Sequence, residues 1–292
     1  MRVGIAPPAL IPDADPEAVF EWAEAAEAGP FSHLAAIDRI KFGNQEPLVL
    51  LAALAGATRT IRLATTILIA PLRNTSLLAK ELATLDRLSR GRLVVGVGLG
   101  AREDDYEVAE VPIRGRGERL ASQLDALRAF WEGDDVGPSP VRSGGPPILV
   151  GGNSGEALAR MARFADGYIH GGGPPRAFAR AAELARAAWI DAGRPGKPEL
   201  WGQGYFALGD AAERGADYLR TYYAFTGPFA ERIAEAQLTR PQAVMEFVRG
   251  YEEAGCDELS LLPSVPDREQ LDRLTEIVDR LGLETKRIEA AA

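Results

Sequence analysis

The chain has almost no cysteine, little histidine and a shortage of positive charge. Its one cysteine, Cys256, has no partner for an internal disulfide. It stands in AGCDELSLL, where a strand starts, and reads as a small buried hydrophobe. There are two histidines, His33 and His170, and no zinc-ligand spacing, G-x-S-x-G elbow or P-loop lysine. The formal charge is −9, the wrong sign for holding a nucleic-acid backbone. No apolar run reaches the ~18 residues of a membrane-spanning helix. The opening MRVGIAPPAL lacks the basic, apolar and small-residue succession of a secretion signal, so a cytoplasmic protein is expected. What the chain does have is apolar side chain, 46 % of 292 residues, ample for a large core.

The rest is organised around Leu82 to Gly100, LATLDRLSRGRLVVGVGLG. Leu82, Leu85 and Leu88 carry helical spacing, and Gly91 is placed to end the helix with left-handed backbone. Leu93 to Val97 then reads as a strand buried on both faces. Gly96, Gly98 and Gly100 leave this backbone open to close approach.

The same alternation runs through the chain. Arg2 to Ala6 is a strand stopped by Pro7 and Pro8, and Asp15-Pro16 caps a helix with Val19, Trp22, Ala23 and Ala26 on one face. Leu34 to Ile37 is strand two, Pro47 to about Ala57 a helix, and Ile61 to Ile69 a β-branched third strand. Asn74 to Ser89 is the next helix, followed by the Leu93 to Val97 strand. Ala101 to Gly117 reads as an acidic, glycine-bearing loop before a helix over Glu118 to Trp131. Gly133 to Pro147 is a connector. Strands at Pro147 to Val150, Asp166 to His170, Leu200 to Leu208 and Asp257 to Leu262 alternate with helices down to Asp267 to Leu281. Two helical stretches, about Ala211 to Tyr223 and Gly227 to Ala236, and a third over Pro241 to Glu253 follow strand seven.

Eight strand–helix units demand parallel pairing and right-handed crossovers. At this length they fit a closed (β/α)8 barrel, one α/β domain over residues 1–292, with an open doubly wound sheet as the alternative.

In a barrel the chemistry gathers where strands end. That rule selects Ala6 to Pro8, Asp38-Arg39, Thr65 to Ala70, Gly98 to Tyr106, Gly151 to Ser154, His170 to Gly173 and Gln203 to Tyr205. GGNSGEA, Gly151 to Ala157, carries two readings. Asn153 and Glu156 are spaced as a capping box; equally, two glycines bare the N–H groups of a helix start for a phosphate, with the Ser154 hydroxyl as a further donor. GVGLG is G-x-G-x-G without the later glycine of a dinucleotide fingerprint. Asp38 and Arg39 either close a salt bridge across the mouth, or Asp38 accepts from the edge of a ligand ring. His33, where strand two begins, reads as structural. His170, before three glycines, is placed for acid–base work. Glu103-Asp104-Asp105 reads as a solvated loop face and not as a metal site.

LATLDRLSRGRLVVGVGLG, GERLASQLDALRAFWEG and PPILVGGNSGEALARMARFADGYI together resemble the bacterial luciferase-like family of flavin-dependent oxidoreductases. The likeness covers nearly the whole chain. It implies a barrel holding reduced FMN, delivered by a separate flavin reductase, which reacts with O2 through a flavin C4a-peroxide to oxidise a small or medium organic substrate. The alternatives are hydride transfer with the deazaflavin coenzyme F420 on the same barrel, and a flavin-binding barrel without catalysis. By resemblance, Gly152, Asn153 and Ser154 match the phosphate turn, with Gly151 leading into it. Thr66 and Ile67 match the bulge after strand three that props the flavin ring. Gly98, Leu99 and Gly100 match the strand-four exit along the cofactor, and Ala6 joins them from strand one. Asp38 matches a frequent acidic residue, but Arg39 stands where many members have histidine, which leaves His170 as a replacement. Asp38, Arg39 and His170 are therefore the expected catalytic residues. The insertion before strand five is cut to DDVGPSPVRSGG, so the pocket is either more open or closed by Arg114 to Gly117 and the Tyr222 to Phe229 segment, whose Tyr222, Tyr223, Phe225 and Phe229 either cover an aromatic substrate or pack between helices. The family implies a homodimer or homotetramer.

Overall fold

The computed structural model describes residues 1–283; residues 284–292 of the expected domain lie outside the described residues. β1 (Arg2–Ile5) ends before Pro7-Pro8. α1 (Pro16–Ala28) starts on the Asp15 carboxylate, which accepts the Glu17 N–H at 3.0 Å, and buries Val19, Trp22, Ala23 and Ala26. β2 (His33–Ala36), α2 (Pro47–Ala57), β3 (Arg62–Ile69) and α3 (Thr75–Leu88) follow. α2 begins on the Glu46 carboxylate with Pro47 in its first turn, and α3 on Asn74, whose side chain accepts from the Leu77 N–H. Gly91 has φ +77°, as a helix ending there requires.

β4 (Leu93–Gly98) leads to a short helix the sequence reading missed, α4 (Glu103–Val108), and then α5 (Arg116–Glu132). Glu103, Asp104 and Asp105 sit in the first turn of α4, where carboxylates favour the positive end of a helix. β5 (Ile148–Gly151), α6 (Gly155–Phe164), β6 (Gly167–Ile169), α7 (Pro175–Asp191) and β7 (Glu199–Phe206) continue the alternation. After α8 (Ala212–Tyr222), α9 (Phe229–Glu235) and α10 (Pro241–Glu253), β8 (Glu258–Pro263) and α11 (Arg268–Leu281) complete it.

All eight strands pair in parallel, in sequence order, and β1 pairs with β8 from Arg2↔Glu258 to Ile5↔Leu261. The sheet is therefore closed, which rules out the open alternative. The main core lies between strands and helices, around Trp22, Leu51, Leu82, Leu124 and Met161. Inside the barrel a smaller cluster, Ala64, Val94, Leu149, Ile169 and Trp201, fills the axis.

The floor is ionic. Arg2, His33, Arg62, Glu199 and Glu258 are the first residues of β1, β2, β3, β7 and β8. The fully buried Glu258 pairs with Arg2 at 2.5 Å and with Arg62, and accepts from Ser32 Oγ at 2.6 Å. His33 lies 3.2 Å from the same carboxylate and 2.7 Å from Ser260 Oγ. Burial, aided by Arg62 and Arg2, holds the His33 imidazole well below its usual pKa. A Cβ on Gly4 would stand 2.2 Å from the His33 ring, so the floor needs glycine there. Cys256 is buried and free, as expected of a small hydrophobe.

Candidate active site

At the opposite end, the strand exits surround a cavity of about 460 Å³, within the ~300–1,000 Å³ of small-molecule sites. β2 contributes Asp38 and Arg39, β3 Thr66 and Ile67, β4 Gly98, Leu99 and Gly100, and β5 Gly151, Gly152, Asn153 and Ser154. The expected residues of four strands thus share one wall. Ala6 and His170 do not. Ala6 is fully buried in an apolar cluster with Leu10, Ala35 and Leu262. His170 follows the outward parity of Tyr168 and packs against Phe178 of α7, ring centroids 5.9 Å apart.

The bulge lies within β3, not after it. Thr65 pairs with Val95 and Leu68 with Val97, so Thr66 and Ile67 together oppose Gly96. The Thr66–Ile67 peptide is cis. The bulge also accounts for the glycine spacing of β4. A Cβ on Gly96 would stand 2.2 Å from the Thr65 carbonyl oxygen, on Gly98 2.8 Å from Ile67 Cδ1, and on Gly100 2.9 Å from Ile69 Cγ2. What approaches the GVGLG backbone is β3 itself, which explains the spacing without a dinucleotide.

Asp38 and Arg39 do not pair with each other. Asp38 Oδ2 accepts from the Ile69 N–H at 2.9 Å and from Arg73 Nη2 at 3.0 Å. Its Oδ1 is buried without a partner. Burial raises the Asp38 carboxyl above its usual range, and Arg73 opposes the rise. Arg39 Nε donates to Asp105 Oδ2 at 2.6 Å, while Asp105 Oδ1 accepts the N–H groups of Ile40 and Lys41 at 2.9 and 2.8 Å. The expected solvated face holds at Glu103 but is corrected at Asp105, which is buried and ties the β2 exit to α4.

The β5 turn differs from the capping box read in the sequence. Ser154, not Asn153, caps α6, its Oγ accepting from the Ala157 N–H at 3.2 Å. Asn153 Oδ1 instead accepts from Tyr168 Oη at 2.7 Å, and His170 Nδ1 lies 3.2 Å from that oxygen. With its proton given to Asn153, Tyr168 must accept from His170, which puts a hydrogen on Nδ1. Burial pushes the Tyr168 phenol up to about 12 and the His170 imidazole below its usual pKa. His170 therefore acts on the turn through Tyr168 and has no place on the cavity wall. Gly152, at φ +123°, brings its backbone against Ala157 and leaves the first N–H groups of α6 facing outward from the helix end.

Four buried polar atoms on the wall lack protein partners: Asp38 Oδ1, Arg39 Nη1, Thr66 Oγ1 and Gln203 Oε1. They come from β2, β3 and β7, around one opening. An unmatched buried polar atom costs about 1–3 kcal/mol, and a ligand with donors and acceptors on its rim would answer all four. These groups, with the β5 turn, fit a flat redox molecule carrying a phosphate.

Two arginines that the sequence reading covered only within longer stretches, Gly98 to Tyr106 and Arg114 to Gly117, complete the wall. Arg116, in the segment expected to close the pocket, donates from Nη1 to the Gly100 carbonyl at 3.0 Å. Arg102 stands between the Tyr222 and Phe225 rings, its guanidinium carbon 4.6 and 4.1 Å from their centroids. Tyr222, Tyr223 and Phe225 line the cavity as expected, whereas Phe229 is 53 % exposed on α9. Arginines at strand exits are common enough that only the fold marks these two.

Among the described residues no helix is long and apolar enough to cross a membrane. The chain is 32 % identical over 206 residues to an uncharacterised protein of Mycobacterium tuberculosis, covering 57 % of this chain and 70 % of that one. Its fold is shared with an F420-dependent secondary alcohol dehydrogenase in complex with an F420–acetone adduct (TM-score 0.79, 17 % identity, 96 % and 99 % of the two chains). It is shared equally with the oxygenating constituent of 3,6-diketocamphane monooxygenase of Pseudomonas putida, a type II Baeyer–Villiger enzyme in complex with FMN (TM-score 0.73, 16 % identity, 96 % and 98 %). The family model for luciferase-like monooxygenases matches residues 1–268, and the closed barrel has the architecture expected of it. The chain belongs to the luciferase-like monooxygenase family.

Proposed function

We propose that the protein is a flavin-dependent monooxygenase that uses reduced FMN and O2 to oxidise a small or medium organic molecule. The observation carrying this reading is the set of four unmatched polar atoms, Asp38 Oδ1, Arg39 Nη1, Thr66 Oγ1 and Gln203 Oε1, around a cavity that also reaches the Asn153-Ser154 turn. In this reading Asn153, Ser154 and the first N–H groups of α6 hold the phosphate, with Arg116 adding charge. Thr66 and Ile67 support the ring, and Asp38 and Gln203 meet its polar edge. When bound, a reduced flavin supplies the electrons with which O2 is activated. The chain's own part is to orient the ring, bring the substrate beside it and keep water out under Tyr222, Tyr223 and Phe225. In this reading FMN arrives reduced from a separate reductase, as the family resemblance implies.

Hydride transfer with coenzyme F420 is the second reading, favoured by the likeness to the F420-dependent alcohol dehydrogenase. Anaerobic titration of the purified protein with reduced FMN and with reduced F420 separates the two. Tight binding of reduced FMN, with O2 uptake on aeration, is expected. Binding of F420 without FMN overturns the first reading in favour of the second.

A further inference from the structure

The charges on the cavity wall do not balance. Its two carboxylates are matched within the protein, Asp38 by Arg73 and Asp105 by Arg39. Two of its guanidinium groups, Arg102 and Arg116, make no ion pair among the described residues. This surplus of positive charge lies in a chain whose formal charge is −9.

The two arginines serve different sides of the opening. Arg116 bonds the Gly100 carbonyl, and next to it Gly117 meets Arg160 of α6. It belongs with the helix that follows the β5 turn. Arg102 reaches away from that turn. Its Nη2 donates to the Tyr222 carbonyl after β7, and it shares the Tyr222 ring with Arg39 from β2, which lies 5.5 Å from the centroid. In the barrel order β2 is three strands from β5, and β7 is two. In the proposed reading Arg116 serves the cofactor phosphate, and Arg102 stands across the mouth from it.

Arg102 is only 8 % exposed and lines the cavity. A cation so enclosed gains most from an anion brought in by a ligand. The wall beside it is aromatic. Tyr205, Tyr223 and Phe225 line the cavity, the Tyr205 and Tyr223 hydroxyls bond at 3.0 Å, and Tyr223 stacks on Phe225 at 6.3 Å between centroids.

We propose that the substrate is an aromatic carboxylic acid, its ring against Tyr205, Tyr223 and Phe225 and its carboxylate on Arg102. The inference rests on the reading of this cavity as a flavin or deazaflavin site. Arg102 is then the residue that selects for the charge of the substrate, and Arg116 serves the cofactor.

The test is calorimetric binding of benzoate, 4-hydroxybenzoate and indole-3-acetate, each against its own carboxamide, with and without FMN bound. At least one acid is expected to bind about tenfold tighter than its amide, as a charge-assisted pair requires. Arg102→Gln should erase that preference, Arg102→Lys should keep part of it, and both should bind FMN as the wild type does. Arg116→Gln should weaken FMN and leave the acid preference in place. Unfolding midpoints check that each variant is folded, and Arg102→Lys carries the test if Arg102→Gln is not. Acids that bind no tighter than amides, a panel in which nothing binds, or a loss of FMN affinity in Arg102→Gln would each overturn the proposal. Failure of FMN to bind the wild type strikes the flavin reading alone, because the acid and amide comparison is also made on the bare protein.

Discussion

The Arg39 guanidinium and the Asp105 carboxylate meet at 2.6 Å, although 66 residues separate them. The same carboxylate accepts two backbone N–H groups, from Ile40 and Lys41. One buried side chain thus fixes the loop after β2 and neutralises its arginine. Asp105→Ala leaves the buried Arg39 with only the longer pair to Asp104, at 3.7 Å, and should cost about 3 kcal/mol of folding stability. Asp105→Asn, which keeps an acceptor for the two N–H groups, should lose less. Urea unfolding of the two variants measures this; equal midpoints for Asp105→Ala and the wild type would show that the clamp carries no stability.

The β4 glycines are predicted to differ sharply from one another. At Gly96 an added methyl meets the Thr65 carbonyl, a backbone atom that cannot step aside. At Gly98 it meets the end of the Ile67 side chain, which can rotate away. Gly96→Ala should therefore fail to give folded protein, while Gly98→Ala should fold and lose cofactor affinity as Ile67 shifts in the mouth. Circular dichroism followed by an FMN titration distinguishes them. A well-folded Gly96→Ala protein would mean that the bulge is looser than its geometry implies.

His170 and Asn153 make a second contrast. Because His170 reaches the turn only through Tyr168, His170→Phe should alter FMN affinity modestly and leave the pH profile of turnover in shape. Replacing Asn153 and Ser154 together by Ala should weaken FMN by about 1–3 kcal/mol through lost charge-assisted bonds. Loss of an ionisation from the pH profile of His170→Phe would return the imidazole to the chemistry.

Stability should fall as the medium is acidified below about pH 6.5, the unperturbed histidine value. Both His33 and His170 are held below it by burial. The unfolded chain then takes up protons that the folded chain refuses, so their contribution is present above that pH and lost beneath it. Each histidine gives a slope of about 1.4 kcal/mol per pH unit. The buried Asp38 works the other way, since its raised carboxyl loses stability as pH rises from about 4. Thermal melts from pH 7 to pH 5 on wild type and His33→Gln read the effect. A slope that His33→Gln does not reduce would place the acid sensitivity elsewhere.

Much of the barrel could be read in advance because its signals are local. Pro47–Ala57 and Pro241–Glu253 have the bounds their opening prolines announce, and the buried face of α1 follows from its spacing. The strand exits followed from the fold, and most of them share the cavity. The misses have a common physical cause, which is that their partners are distant. Nothing near Asp105 announces Arg39. Asn153 and Ser154 are both good capping residues, and only the Tyr168 hydroxyl decides between them. β6 has three residues, Gly167, Tyr168 and Ile169, too few and too apolar to show which way His170 would turn. The floor is spread from Arg2 to Glu258 and exists only once β1 meets β8.

That floor has a further effect. Among the described residues, Glu258 and its arginines beneath and Trp201, Leu149 and Ile169 in the shaft close the strand-exit cavity from below, so a ligand enters it from the mouth. Everything that reaches the deepest position must travel past the place where the next arrival will sit.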